Sequence, residues 1–232
     1  DPGYRPAPNP AEDPGPDPGA LVRVFGLSDN DVRRVRLDVE RPTEFRVRFL
    51  GEYDRSIRAF ADGAWITDMR SWKQVWVPED GTTRPAGGDF KNQEFRGTVR
   101  LDPGPYLLTV AMDGSHSPGA WNAPPPNDPD AWGISLDPVH PADRAAVRVV
   151  GDAALPEPLL AITRVGDNEF ERLPFTVSRP VPVLVRALGE SAGKENIYAD
   201  HGWIERQEDF EPVWEMGDAE SQPAGGASKN RE

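Results

Sequence analysis

The sequence predicts an all-β protein made of two tandem antiparallel β-sandwich modules, the second of them incomplete. Three observations predict this class. Apolar and polar residues alternate in short runs, Pro and Gly separate those runs, and the chain matches itself at an offset of 138 residues. No helical periodicity extends over ten or more residues, so helices are expected to contribute little.

The internal repeat is carried by identical runs that keep one register without a gap. Leu50-Gly51-Glu52 falls on Leu188-Gly189-Glu190, Trp65-Ile66 falls on Trp203-Ile204, and Lys91-Asn92 falls on Lys229-Asn230. About 25 of about 66 aligned positions are identical, far more than chance would produce. The second copy stops at Glu232, the counterpart of Glu94, while the first continues for about 42 more residues. We therefore expect the chain to continue after Glu232.

The repeat and the composition divide the chain into four parts. Residues 1–20 are mostly Pro, Gly and acidic residues, which predicts an extended arm. The first module is predicted over 21–137 and a linker over 138–158. The second module, without its C-terminal part, is predicted over 159–232.

Strand positions follow from alternation within each copy. Two strands of the first copy are predicted from alternating apolar residues, the first at Val35, Leu37 and Val39 and the second at Phe45, Val47 and Phe49. Their counterparts in the second copy are predicted at Leu173, Phe175 and Val177 and at Val183, Val185 and Ala187. Further strands are predicted at 57–60, 65–68, 74–77, 95–101 and 106–112. Pro103-Gly104-Pro105 predicts a hairpin between the last two. Each module is therefore expected to be a sandwich of the immunoglobulin-like or jelly-roll-like kind.

Composition excludes several classes of function. The 232 residues carry a net charge of −13, which opposes binding to nucleic acid or to an anionic membrane and favours neutral or basic partners. The absence of Cys excludes disulfides and thiol chemistry. No apolar run reaches the roughly 18 residues needed to span a bilayer. The first residue is Asp1 rather than Met, which favours export and an extracytoplasmic location.

One segment after a predicted strand could hold a metal. A long loop there contains four possible ligands, Asp113, His116, Asp128 and Asp130, and the indole rings of Trp121 and Trp132 would form the sides of the site. The alternative is a loop packed on itself, in which His116 and Asn122 satisfy backbone groups and the indoles cover the end of the sandwich. This alternative is favoured because the Asp spacing matches no calcium-binding motif. We therefore expect no metal and no cofactor.

No catalytic residue can be nominated from the sequence. The chain lacks a G-x-S-x-G elbow, a P-loop and a G-x-G-x-x-G turn, which argues against a hydrolase and against nucleotide binding. Trp65, Trp76, Trp203 and Trp214 recur in both copies and are expected to be framework residues. Candidates for contact with a partner are Tyr4 in the arm, Trp72 in a polar stretch, Trp121 and Trp132.

Several short runs carry a resemblance to known proteins. The second copy contains Gly202-Trp203-Ile204-Glu205, Val213-Trp214-Glu215-Met216, Ala224-Gly225-Gly226 and Lys229-Asn230-Arg231, and the first contains Ser115-His116-Ser117, Trp121-Asn122, Pro124-Pro125 and Trp132-Gly133-Ile134. With these runs, residues 21–232 resemble an uncharacterised tandem β-sandwich module of exported bacterial proteins. More loosely, the chain resembles an extrinsic subunit of a bacterial photosynthetic reaction-centre and light-harvesting complex. The resemblance implies a sandwich fold and an extracytoplasmic setting, and it implies no catalytic residues.

Two functions are compatible with these features. The first is a non-catalytic accessory subunit that docks on a larger extracytoplasmic or membrane-extrinsic complex through protein partners. Duplication without a shared catalytic set, an acidic surface and an extended arm favour it. The alternative is a module that binds carbohydrate or another polymer on exposed aromatic rings.

Overall fold

A computed structural model describes residues 19–55, 59–79, 81–151, 155, 157–194, 197–217, 221, 224, 227 and 229–232. The arm residue Tyr4 lies outside this part of the chain. The strands are β1 (Val22–Phe25), β2 (Val32–Val39), β3 (Thr43–Asp54), β4 (Ala59–Phe60), β5 (Gly63–Asp68), β6 (Lys73–Trp76), β7 (Thr83–Pro85), β8 (Asn92–Leu101), β9 (Gly104–Ala111), β10 (Gly133–Pro138), β11 (Val147–Val150), β12 (Gly189–Lys194), β13 (Ile197–Asp200), β14 (Trp203–Glu205), β15 (Pro212–Glu215) and β16 (Asn230–Arg231). Short 3-10 helices span Pro129–Ala131 and Pro141–Ala146. The predicted all-β class is confirmed.

Two antiparallel sheets form the first module. Sheet A has the strand order β1-β10-β3-β8-β7, with β4 added to β3, and sheet B has the order β11-β2-β9-β5-β6. Every ladder in both sheets is antiparallel. The β-sandwich predicted for the first copy is present.

The core lies between the two sheets and follows the predicted alternation. Phe45, Val47 and Phe49 of β3 meet Leu37 of β2 and Leu108 of β9 in one buried cluster. The residues between them on each strand point away from the core, because successive side chains of a strand face opposite sides. Burial of large apolar side chains on both inner faces holds the sheets together.

The predicted hairpin at Pro103-Gly104-Pro105 is wrong. The strands on either side of it belong to different sheets, since β8 pairs with β3 and β7 while β9 pairs with β2 and β5. The turn therefore carries the chain from sheet A to sheet B. A tight turn between two alternating runs is equally compatible with a hairpin and with such a crossover, because the runs alone do not determine their partners.

The first module extends further than predicted. Residues 138–150, expected in the linker, include the 3-10 helix Pro141–Ala146 and β11, which pairs along β2 as an edge of sheet B. Its pairing with β2 makes β11 part of the first module. The sequence signal for this strand was the Val-rich run of β11, which forms the edge of sheet B.

The second copy forms small sheets instead of a second full sandwich. Strands β13-β12-β16 make one sheet and β14-β15 make another. The strands predicted at 173–177 and 183–187 are absent, and the described residues from 157 to 188 contain no strand. Their counterparts β2 and β3 pair with β8, β9 and β10 in the first copy. Of those three partners, only the start of β8 has a counterpart in the described chain, namely β16.

Where the second copy does form strands, its pairing matches the first copy at the same offset. Ile204 pairs with Trp214 as Ile66 pairs with Trp76. Glu190 pairs with Asn230 in β12 and β16, as Glu52 pairs with Asn92 in β3 and β8. The corresponding residues Trp72 and Phe210 both have positive φ angles, 55° and 57°. Local sequence therefore produces the same local structure in both copies.

The second copy packs near the outer face of sheet B. Trp65 points to that face, because its neighbours Ala64 and Ile66 belong to the core, yet it is buried. Arg34, also on the outer face, has its pKa lowered, first by burial and then by the charge of Arg186. No helix among the described residues is both long and apolar enough to cross a bilayer.

Candidate functional site

The candidate site lies at one end of the first sandwich, under the loop that joins β9 to β10. This loop crosses from sheet B back to sheet A and ends in the 3-10 helix Pro129–Ala131. It places His116 inside the protein, with no exposed surface and a positive φ angle of 65°. A left-handed backbone at a buried His is uncommon and is maintained by the contacts of its side chain.

Two asparagines hold the ring of His116. Its Nε2 lies 2.6 Å from Oδ1 of Asn92, and its Nδ1 lies 2.9 Å from Oδ1 of Asn122. The amide nitrogen of Asn92 donates to the backbone carbonyls of Gly87 and Pro124. That geometry leaves the Asn92 oxygen facing the ring, so Nε2 of His116 carries the proton and donates.

A lysine and a glutamate extend this network toward the surface. Nζ of Lys91 donates to Oε1 of Glu52 at 3.0 Å and to Oδ1 of Asn122 at 2.6 Å. Burial, followed by the charge of Lys91, lowers the pKa of His116. Burial raises the pKa of Glu52, against the hydrogen bond from Lys91. Burial and the neighbouring Lys91 cation therefore both disfavour the protonated form of His116.

Asp62 has no exposed surface and belongs to the same end of the sandwich. Its Oδ1 accepts from the backbone N–H of Asp113 at 2.8 Å, and its Oδ2 accepts from Nε1 of Trp132 at 3.0 Å. Burial raises the pKa of Asp62 to about 7, and the negative charges of Asp113 and Glu52 add to the shift. The two hydrogen bonds oppose it without cancelling it.

Three carboxylates converge at this point. Ligand oxygens of Glu52, Asp62 and Asp113 all lie within 4.8 Å of one another, and no other three acidic or histidine side chains among the described residues come together in this way. Such oxygens suit a hard cation. Asp62, however, already uses both oxygens to accept protein hydrogen bonds, and Glu52 already accepts from Lys91.

The predicted metal ligands do not come together as one set. Asp113 belongs to the carboxylate trio, while His116 is engaged by the two asparagines. Asp128 accepts from Nη2 of Arg48 at 2.9 Å, and Asp130 is exposed in the 3-10 helix. The loop does pack on itself, but His116 bonds the side chains of Asn92 and Asn122 and not the backbone groups that the sequence suggested.

The aromatic candidates are part of the packing. Trp121, Trp132 and His116 contact one another edge to face, with ring centroids 4.9 to 5.5 Å apart. Trp132 is fully buried, so it offers no surface to a partner, and Trp121 is half-buried against it. Trp72 is half-buried and lines a cavity together with Arg186, Trp214 and other residues of the second copy.

The sequence pattern did not single out Glu52, Asp62, Lys91 or Asn92 as site residues. A usable signal existed, because all four are identical in the second copy, as Glu190, Asp200, Lys229 and Asn230. Lys229 also repeats the ion pair, with its Nζ 2.8 Å from Oε2 of Glu190. Polar residues that are identical in the two copies indicate shared internal hydrogen bonds, just as identical apolar residues indicate a shared core.

The contacts at this end of the sandwich indicate a role in packing more than a role in catalysis. Asp62 and His116 have shifted pKa values of the kind found in proton-transfer sites, yet both are fully buried and their polar atoms bond to the protein. The fold and this site define the class: an antiparallel β-sandwich whose end is closed by a buried polar and aromatic cluster. No family model, curated protein or solved structure matches the chain.

Proposed function

We propose that this protein is a non-catalytic accessory subunit that docks on protein partners of a larger extracytoplasmic, membrane-extrinsic complex. The observation that carries the proposal is the burial of the candidate site. His116, Asp62 and Trp132 have no exposed surface, and their side-chain polar atoms bond to other residues of the protein.

The composition and organisation of the chain support protein partners. The net charge of −13 opposes binding to nucleic acid or to an anionic membrane and favours neutral or basic partners. The internal duplication without a shared catalytic set, together with the extended arm predicted over residues 1–20, fits a docking protein better than an enzyme.

The chemistry of the candidate site supports the absence of catalysis. Its titratable groups hold the β9–β10 loop against the sandwich, and Lys91 and Glu52 neutralise one another at its edge. Catalytic groups would need a path to a substrate. The cavity around Trp72, Leu184 and Met216 lies elsewhere and is lined by none of these groups.

The alternative, carbohydrate or polymer binding, loses the platform that the sequence suggested. Sugar stacking needs exposed and coplanar rings, whereas Trp132 is buried and Trp121 meets it at 88°. The exposed pair Phe170 and Trp203 is tilted by 39°. The observations therefore favour a protein partner.

The test is fractionation of the native protein from its source, without detergent and in mild detergent, by size exclusion. A stable assembly much larger than the monomer, with partner proteins in fixed ratio, is the expected result. The loose resemblance to an extrinsic photosynthetic subunit makes reaction-centre and light-harvesting proteins the first partners to look for. Elution of the native protein as a monomer under both conditions would overturn the proposal.

A further inference from the structure

Three side chains of the first module bring an amine, an amide and a carboxylate to one point. Nζ of Lys91, the residue before β8, lies 2.6 Å from the side-chain oxygen of Asn122 in the β9–β10 loop. The same Nζ lies 3.0 Å from Oε1 of Glu52 on β3. These are the groups that an amide bond between two side chains requires: a nucleophile, an acyl carbon and a group that moves protons.

The lysine nitrogen is close to the amide carbon as well as to the amide oxygen. Because the carbonyl bond is about 1.2 Å long, an atom 2.6 Å from Oδ1 of Asn122 is at most about 3.8 Å from Cγ of the same residue. Reacting atoms in a near-attack geometry are separated by about 3 to 3.5 Å. A small rotation of the Lys91 side chain therefore brings Nζ into position to attack Cγ.

The surroundings of the three groups favour this reaction. The side chains of Lys91 and Glu52 are only 15% and 13% exposed, so few water molecules compete for them. Oε2 of Glu52 is buried and has no hydrogen-bond partner among the described residues, which leaves an oxygen free to hold a proton. Burial also raises the pKa of Glu52.

The amide of Asn122 faces the protein although the residue itself is exposed. Its Oδ1 lies 2.9 Å from Nδ1 of His116, which has no exposed surface. The inward side of the amide is therefore held against the network, and the exposed side of the residue gives a small leaving group a path to solvent.

We propose that Lys91 and Asn122 form an isopeptide bond, an amide between two side chains, with Glu52 as the proton-transfer group. Lys91 gives a proton to Glu52, and the neutral amine attacks Cγ of Asn122. The Nζ–Cγ bond forms, the Cγ–Nδ2 bond breaks, and Nδ2 leaves as ammonia. Nζ loses two protons in all: one passes through Glu52 to Nδ2, and the other remains on Glu52 as its carboxylic acid. Nothing is oxidised or reduced.

The bond would fasten the loop that closes the end of the sandwich. It joins the residue before β8 of sheet A to the β9–β10 loop, 31 positions further along the chain. A cross-link of this kind stabilises a fold mainly by restricting the unfolded chain, as a disulfide does, and this chain has no Cys. The ion pair between Lys91 and Glu52 is the state from which the bond forms.

The test is the intact mass of the folded 232-residue chain. We expect a mass below that of the sequence by one ammonia, about 17 Da, and a branched peptide joining residues 91 and 122 after proteolysis. Asn122→Asp should form the same bond with loss of water, about 18 Da. Lys91→Arg, which keeps the positive charge, and Glu52→Gln should both keep the full sequence mass.

The second copy supplies the matched control. Lys229 and Glu190 repeat the ion pair at 2.8 Å, but their side chains are 53% and 33% exposed. Lys229→Arg should therefore leave the loss of ammonia unchanged.

The unmodified chain decides the proposal by itself, so a variant that fails to fold does not weaken the test. A chain that is folded by near-ultraviolet circular dichroism and has the full sequence mass would overturn it. Loss of ammonia that persists in Lys91→Arg would also overturn it, because Asn122 would then have closed on its own backbone as a succinimide. An undiminished loss in Glu52→Gln would overturn the role of Glu52. None of these outcomes depends on the accessory-subunit proposal.

Discussion

The indole Nε1 of Trp132 donates a hydrogen bond of 3.0 Å to Oδ2 of Asp62, and both side chains have no exposed surface. The bond joins the end of the β9–β10 loop to the segment between β4 and β5. The bond therefore connects the two sheets, because Trp132 immediately precedes β10 of sheet A and Asp62 immediately precedes β5 of sheet B. A buried bond of this kind is costly to break, because neither partner can turn to water.

The stability of the first module should fall as pH rises from about 4 to 8. Burial raises the pKa of Asp62 to about 7 from an ordinary value of 3.8, so between these values the folded protein holds a proton that the unfolded chain has lost. The contribution of this proton is complete below pH 3.8 and is lost as pH rises through about 7, at most about 4 kcal/mol. Urea unfolding at pH 5 and pH 8 measures the difference.

The variant Asp62→Asn isolates this effect. It removes the titration of residue 62, so the decline in stability between pH 5 and pH 8 should be smaller than in the unmodified protein. His116 acts in the opposite direction, since its lowered pKa costs stability as pH falls below about 6.5. Parallel pH profiles for the two proteins would contradict the role of Asp62, and Asp130→Asn, at an exposed site, serves as the control.

Much of the fold could be predicted because alternation in the first copy reports burial on one face. Val35, Leu37, Phe45 and Phe49 were all placed correctly by that pattern. The pattern does not report a strand's partners, which is why the hairpin at Pro103-Gly104-Pro105 was predicted in place of a crossover. The same limit explains the second copy, where alternation persists without strands because the pairing partners are absent from the described chain.

The candidate site was predicted in part. His116 and Trp132 were recognised as members of a loop that packs on itself, since their residue types suit buried hydrogen bonds and rings. Glu52 and Asp62 were missed because they come from other strands and loops, 64 and 54 positions before His116 in the sequence. Long-range polar contacts leave no periodicity, and only their identity between the copies marked them.

Replacing His116 with Ala should destabilise the first module by about 3 kcal/mol. The change removes a fully buried ring and leaves the side-chain oxygen of Asn92 without its donor. It also removes one of the three rings that pack edge to face with Trp121 and Trp132. Urea unfolding followed by near-ultraviolet circular dichroism measures the loss, and a change below about 0.5 kcal/mol would show that the network does not stabilise the loop.

Replacing Lys91 with Met should cost about 3 kcal/mol, because it leaves the carboxylate of Glu52 buried without its cation. The double variant Lys91→Met with Glu52→Gln should recover much of that loss. The second copy offers a matched control. Lys229→Met removes the corresponding bond to Glu190, which is more exposed, and should cost clearly less stability than Lys91→Met. Equal losses at the two positions would contradict the argument from burial.

Replacing Gly88 with Ala should destabilise the protein more than replacing Gly119 with Ala. Both glycines have positive φ angles, 66° and 87°, so each substitution carries a backbone penalty of about 1 kcal/mol. At Gly88 the new methyl group would also overlap the backbone carbonyls of Pro124 and Pro125, whereas at Gly119 no atom lies within 4 Å of it. The Pro124 carbonyl also accepts from Asn92, so its displacement disturbs the support of His116.

Thermal unfolding of the two variants measures the difference; we expect at least about 2 kcal/mol more loss of stability at Gly88. Equal melting temperatures would show that the 124–125 backbone can move without cost to the His116 network.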